Sequence, residues 1–187
     1  LGDLPGGDFS SAAFGISGDG STVVGASKDT EGQKAFRWTL HSGLQGVGEL
    51  PGDSFAWQAN DASEDGSTVV GTMLSTGSSD AFRWTSSGGL QSLGDLPGGL
   101  NFSQAWGISD DGSTVVGQSS GENGQEAFRW TSANGLQGLG DLPGLGSFSQ
   151  AFGVSGDGST VVGRSVGENG PEAFRWTSSE GIQGLGG

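Results

Sequence analysis

Apolar and polar residues alternate in short runs along this chain, and glycine, aspartate or asparagine interrupts each run. Such period-2 runs, rich in Val, Phe, Trp and Thr, predict half-buried β-strands. No window shows a 3.6-residue period, and glycine recurs too often for a helix. In residues 93–138 the pattern predicts strands at 105–109, 113–119, 126–131 and 136–142. Asp110-Asp111-Gly112 separates the first two, Gly121-Glu122-Asn123-Gly124 the next pair, and Ala133-Asn134-Gly135 the last. Asp-Gly and Asn-Gly between β-forming runs are hairpin signals, because glycine supplies positive φ at little steric cost.

The same pattern returns at a fixed interval. Asp-Gly-Ser-Thr-Val-Val-Gly begins at Asp19, Asp65, Asp111 and Asp157, and Ala-Phe-Arg-Trp-Thr at Ala35, Ala81, Ala127 and Ala173. Both repeat every 46 residues, giving units 1–46, 47–92, 93–138 and 139–184 of a single repeat domain, with 185–187 starting a further repeat. Four short antiparallel strands per unit of this size predict a propeller blade. A β-helix repeats at shorter periods, and a sandwich has no reason to repeat at one interval. The predicted class is therefore an all-β, β-propeller fold of four blades. They form either a closed four-bladed ring or half of an eight-bladed homodimer, because residues 1–5 and 184–187 both belong to the fourth strand.

Composition narrows the partners. Glycine supplies 40 of 187 residues, in register with strand formers, which reads as ordered turns rather than disorder. A net charge of −14 argues against nucleic acid or an anionic membrane as ligand. No apolar run approaches the ~20 residues of a membrane helix. Cysteine is absent, so no disulfide or thiolate site is expected. The chain starts at Leu1 without a signal-peptide pattern, as expected of a mature or excised piece.

Periodic side chains are expected to be structural. Phe36/Trp38, Phe82/Trp84, Phe128/Trp130 and Phe174/Trp176 lie two apart on one strand, so each pair faces one side of its blade and is expected in the inter-blade core. Arg37, Arg83, Arg129 and Arg175 point to the other face. They are four of only seven basic residues, so each is expected to pair with a periodic carboxylate. The candidates are Asp19, Asp65, Asp111 and Asp157 of the turns, or Asp3, Glu49, Asp95 and Asp141 of the fourth strand. The turns suggest calcium, but each offers one or two carboxylates and the second is not periodic. No metal or other cofactor is therefore expected, the alternative being a calcium ion held in the channel by several blades.

Binding candidates are the residues that break the repeat. Unit two alone carries Trp57, expected to be solvent-exposed, and has Asn60-Asp61 where other units have an aromatic residue and glycine. Units three and four share a Gly-Glu-Asn-Gly loop, so Glu122-Asn123 and Glu168-Asn169 form candidate duplicate sites. Catalysis finds little support: His41 is the single histidine, in one unit, and the turn carboxylates show no acid–base asymmetry. The expected role is a non-enzymatic, multivalent module binding a glycan or protein, or a scaffold without a small-molecule ligand.

The ordered series Gly107-Ile108-Ser109, Val115-Val116-Gly117, Ala127-Phe128-Arg129-Trp130 and Leu139-Gly140-Asp141-Leu142-Pro143-Gly144 resembles the bacterial extracellular HAF-repeat family. The histidine of that motif is replaced by Lys34, Asp80, Glu126 and Glu172, so no role resting on it carries over. The resemblance implies an extracellular or cell-surface location and supplies no reaction. The Ser-x-Asp-Gly-x-x-Val segment is also similar to blades of TolB-type and WD40-like propellers.

Overall fold

The structure, a computed structural model, describes residues 2–48, 54–144 and 146–186. All its regular elements are strands, and they fall into four meanders. The first comprises β1 (Gly6–Ile16), β2 (Thr22–Asp29), β3 (Gly32–Thr39) and β4 (Gly43–Gly46). The second comprises β5 (Ser54–Ala62), β6 (Thr68–Ser75), β7 (Ser78–Thr85) and β8 (Gly89–Ser92). The third is β9 (Gly98–Ile108), β10 (Thr114–Gly121), β11 (Gly124–Thr131) and β12 (Gly135–Gly138). The fourth is β13 (Ser149–Val154), β14 (Thr160–Gly167), β15 (Gly170–Thr177) and β16 (Gly181–Gly184). Within each meander neighbouring strands pair antiparallel. The first strand is longer than the pattern at 105–109 predicted, and the fourth is shorter.

One register fixes the interior of every unit. Gly25, Gly71, Gly117 and Gly163 stand opposite Phe36, Phe82, Phe128 and Phe174. A bulge on the preceding strand pushes its backbone against these glycines. A Cβ at Gly117 would sit 1.9 Å from the Gln104 carbonyl oxygen, and one at Gly71 2.0 Å from that of Gln58. The glycine of Val-Val-Gly is thus required by close approach, and the facing phenylalanine ring covers it. All four phenylalanines are at most 1% exposed.

Units are joined in a row. Single parallel bridges at Gln33↔Ala56 and Ser79↔Phe102 link the third strands of units one and two to the first strand of the next unit, and Gln125↔Phe148 joins β11 to the residue just before β13. Behind these bridges lie three equivalent apolar clusters. In one, Val70 and Ala81 of unit two, with Leu93 just past β8, meet Ala105, Ile108, Val115, Phe128 and Trp130 of unit three. Val24 and Ala35, with Val47 just past β4, meet unit two in the same way, and Val116 and Ala127, with Leu139 just past β12, meet unit four.

The phenylalanines therefore occupy the expected core, but the tryptophans do so only in part. Trp130 is buried. Trp84 and Trp176 are only half-buried and pack on the edge of their clusters beside Leu90 and Ile182, which corrects the expectation of core rings. Trp38, on the uncovered side of unit one, is also half-buried. All three share one register, Trp84 opposite Leu90, Trp130 opposite Leu136 and Trp176 opposite Ile182, on the short fourth strands that edge each meander. Trp130 is covered further by Arg83, 5.8 Å from its ring centre. A ring there has the cluster on one side and solvent on the other, an arrangement that suits an indole with its single N–H.

The row does not close, which corrects the four-bladed ring. Ile16 on unit one is 58% exposed, whereas its equivalents Ala62 and Ile108 are 7% exposed. Val162 on unit four is 45% exposed, whereas Val70 and Val116 are fully buried. The faces left uncovered at the two ends of the row are the ones that every internal interface buries.

The packing leads to a stability expectation. Phe128→Ala should cost about 3–5 kcal/mol through the cavity it leaves. Gly117→Ala should cost about 1–3 kcal/mol through overpacking against the Gln104 backbone. Chemical denaturation followed by tryptophan fluorescence checks both, and an unchanged midpoint for Gly117→Ala would refute the close-approach account.

Candidate functional site

Two polar regions flank the apolar interfaces, at opposite ends of the strands. The first is built on the Asp-Gly turns. Asp19, Asp65, Asp111 and Asp157 each accept from the hydroxyl of the serine two residues before and from the backbone N–H two residues after. These bonds to the charged form pull all four carboxyls below the usual range. The preceding serine hydroxyl dominates at Asp19, Asp111 and Asp157, and the Ser67 N–H at Asp65; Asp157 falls to about 2. Their role is to rigidify the turn.

The turn glycine then meets the preceding unit. Gly66, Gly112 and Gly158 have φ of 63°, 69° and 70°, and a Cβ on each would clash with the hydroxyl of Thr22, Thr68 or Thr114. Their carbonyls accept from Arg37, Arg83 and Arg129 of the preceding unit, whose guanidinium groups also donate to those threonines. Arginine therefore ties neighbouring units through backbone carbonyls, not through the carboxylates expected. A fixed carbonyl two residues into a rigid turn is the nearer acceptor, and it avoids burying a second charge. Arg175 differs: it is half exposed and pairs with Glu180 at 2.6 Å. Of the other suggested partners, Asp95 and Asp141 lie half-buried, their carboxyls raised mainly by burial. Glu49 lies outside the described residues.

At the other end, near the β2–β3-type hairpins, is a cleft between units two and three. It is lined by Gln33, Trp57, Gln58, Asn60, Thr72, Leu74, Gln104 and Trp106 and encloses about 110 Å³. At ~30 Å³ per water, that holds a few waters or one small polar portion of a ligand. Its aromatic lining is Trp57 and Trp106, and outside the cleft the Phe152 ring lies 5.4 Å from that of Trp106. Its walls are amides. Gln58 donates to Asn60 at 2.7 Å, and Asn60 donates to the Ala105 carbonyl of unit three at 2.7 Å. A ladder continues away from the cleft: Gln118 donates to Gln104 at 3.1 Å, Gln150 to Gln118, and Arg164 to Gln150 at 2.7 Å. Gln104 accepts in this ladder, but its own amide N–H groups have no hydrogen-bond partner among the described residues.

The candidates drawn from the sequence divide between places. Trp57 and Asn60 reach the cleft, but Trp57 is only 1% exposed, which corrects the expectation of an exposed ring. Its position in β5 faces the inter-unit core, where it packs 6.0 Å from Phe82. Asp61 lies towards the Asp-Gly end and accepts from the backbone N–H of Ile108 in the next unit at 3.1 Å; burial raises its carboxyl. Glu122-Asn123 and Glu168-Asn169 are exposed on hairpin tips of units three and four, apart from the cleft. The sequence reading missed Gln33, Gln58, Gln104 and Trp106. Glutamine at 58, 104 and 150, against alanine at 12, was the available signal.

Four-stranded meanders whose first strands lie side by side around a common centre define a β-propeller, present here as an open arc of four blades. Solved structures of TolB-like propellers support that class. TolB from Acinetobacter baumannii aligns with a TM-score of 0.66 at 16% identity, over 94% of this chain and 43% of its own. The putative TolB from Agrobacterium tumefaciens gives 0.64 at 18% identity, over 95% and 61%. AofleA from Arthrobotrys oligospora, as an arginine-to-alanine mutant, gives 0.53 at 15%, over 95% and 56%. The chain thus spans about half the length of these structures, and the likeness is one of fold. No protein-family model and no curated protein sequence matches it.

The turn aspartates give the fold a pH signature. Their folded carboxyls bind protons more weakly than the unfolded value of about 3.9, so they contribute stability above that pH. It is lost as pH falls through their lowered values, towards about 2 for Asp157. The melting temperature should therefore drop between about pH 4 and 2. Asp157→Asn keeps an acceptor for Ser155 and Ser159 but does not titrate, and should make that drop shallower; an identical slope would count against the turn account.

Proposed function

We propose that this propeller arc is a non-enzymatic binding module for a neutral, polyhydroxylated ligand, in the glycan class. The observation that carries this reading is the amide-walled, aromatic-lined cleft between units two and three. Glutamine and asparagine both donate and accept, as hydroxyl groups do, and an aromatic ring packs against the C–H face of a sugar. The Gln104 amide N–H groups, without a partner among the described residues, and the half-buried Trp106 supply one group of each kind. The cleft carries no charge among its lining residues, which suits a neutral ligand despite the chain's acidity. The repeated Glu-Asn tips of units three and four would add weaker contacts, so that valency strengthens binding. The resemblance to HAF repeats supports a bacterial extracellular or cell-surface setting.

Chemistry argues against catalysis. The carboxyls with raised proton affinity, Asp61, Asp95 and Asp141, are in separate loops or units and bracket no common cleft. His41 is an exposed turn residue of one unit. One observation favours the scaffold reading instead: Asn60 and Gln118 use their amides within the protein.

Titration with a panel of neutral oligosaccharides, followed by tryptophan fluorescence and calorimetry, tests the proposal. A saturable response is expected, weakened at least tenfold by Gln104→Ala and by Trp106→Ala. A flat response across the panel, or binding indifferent to Gln104→Ala, would turn the assignment to the scaffold.

A further inference from the structure

The two ends of the arc are the separated halves of an interface that the chain makes three times internally. On unit one, Ala13, Ile16 and Val23 occupy the places of Ala105, Ile108 and Val115, which are buried against the unit before them. Ala13 and Ile16 are exposed and Val23 half-buried. At the unit-four end, Val162, Ala173 and Leu185 (just past β16) occupy the places of Val70, Ala81 and Leu93; all three are exposed.

The polar half of the interface is split in the same way. Between units two and three, Arg83 lies 5.8 Å from the Trp130 ring centre and donates to the Gly112 carbonyl, in a hollow of about 150 Å³ that Ser113 and Ser132 complete. Unit one shows that hollow without its arginine: Gly20, Ser21, Trp38, Thr39, Leu40 and His41 line about 500 Å³. A Cβ on Gly20 would meet nothing within 4 Å, whereas Gly66, Gly112 and Gly158 each abut a threonine of the preceding unit. Unit four shows the arginine without its hollow, as Arg175 turns back to Glu180. A third element matches. Ala81 and Ala127 donate their backbone N–H to the Ser103 and Ser149 hydroxyls of the next unit at 2.9 Å. Ser11 is set like those serines, donating to the Gly2 carbonyl as they do to Gly94 and Gly140, and Ala173 is the donor that would reach it.

We infer that a second copy of this chain docks here, the unit-four face of each copy packing on the unit-one face of the other. Arg175 enters the partner hollow at Trp38 and donates to the Gly20 carbonyl; Val162, Ala173 and Leu185 cover Ala13, Ile16 and Val23. Two such contacts close eight blades into a ring, since heterologous faces either close or polymerise. The chain spans about half the length of the propeller structures it matches, so the arc leaves room for further blades. Pro171 stands where units one to three have Gln33, Ser79 and Gln125 and has no N–H. Side chains, not strand addition, therefore carry the contact.

The test is the mass in solution by light scattering at physiological ionic strength, where the charge of −14 per chain is screened. Twice the 18.7 kDa chain mass is expected. Ile16→Glu and Val162→Glu alter exposed positions, so folding checked by circular dichroism should be unchanged. Each variant alone should have the mass of one chain. Mixed, they retain one intact interface per pair and should form a two-chain species at higher concentration. A single-chain mass for the unmodified protein would overturn the inference, as would open polymers, or a dimer that survives both substitutions.

Discussion

The structure depends on how closely one unit's Asp-Gly turn approaches the unit before it. The turn must present a carbonyl to an arginine and leave no Cβ in the path of a threonine. Aspartate fixes the turn by bonding to the serines on either side, and glycine supplies both positive φ and the clearance. The arginine acceptor is thus a backbone atom whose position is set before the neighbour arrives. An interface built on a preset carbonyl can be repeated without change, which is why seven residues recur unaltered at each turn.

Behind that contact, each unit works as a two-sided tile. One side offers valine, alanine and leucine, and the other offers alanine, a β-branched or small residue, phenylalanine and tryptophan. Stability therefore accrues at interfaces between units more than within them, as in other repeat proteins. The terminal tiles carry one uncovered side each. The exposure of Ile16, Val162 and Leu185 follows from position in the row, since their chemistry matches that of buried equivalents.

The proposed site lies where the tile varies. The positions of Gln58, Gln104 and Trp106 lie on first strands, which lie side by side near the centre. There a substitution reshapes the cleft directly. Unit two uses that freedom twice. Asn60 and Asp61 replace an aromatic residue and glycine, and both reach across to backbone groups of unit three. The pair that looked most like a ligand site in the sequence is thus partly a clasp between units.

The sequence by itself determined the strands, their hairpins, the 46-residue unit and the burial of its phenylalanines, because each follows from local periodicity and turn chemistry. Alternation also put the tryptophans on the same face as those rings, but it could not show that the rim leaves Trp84 and Trp176 half open. The periodic arginines were legible as inter-unit groups. Their acceptor was not: a carboxylate and a backbone carbonyl compete for the same guanidinium, and only the three-dimensional placement of Gly66, Gly112 and Gly158 decides. Trp57 was misjudged for a similar reason, since alternation in β5 cannot say which face has a neighbouring unit against it. The opening of the arc was beyond sequence altogether. Identical tiles build a four-bladed or an eight-bladed ring with the same pattern, and only the rotation set at each packed interface distinguishes them.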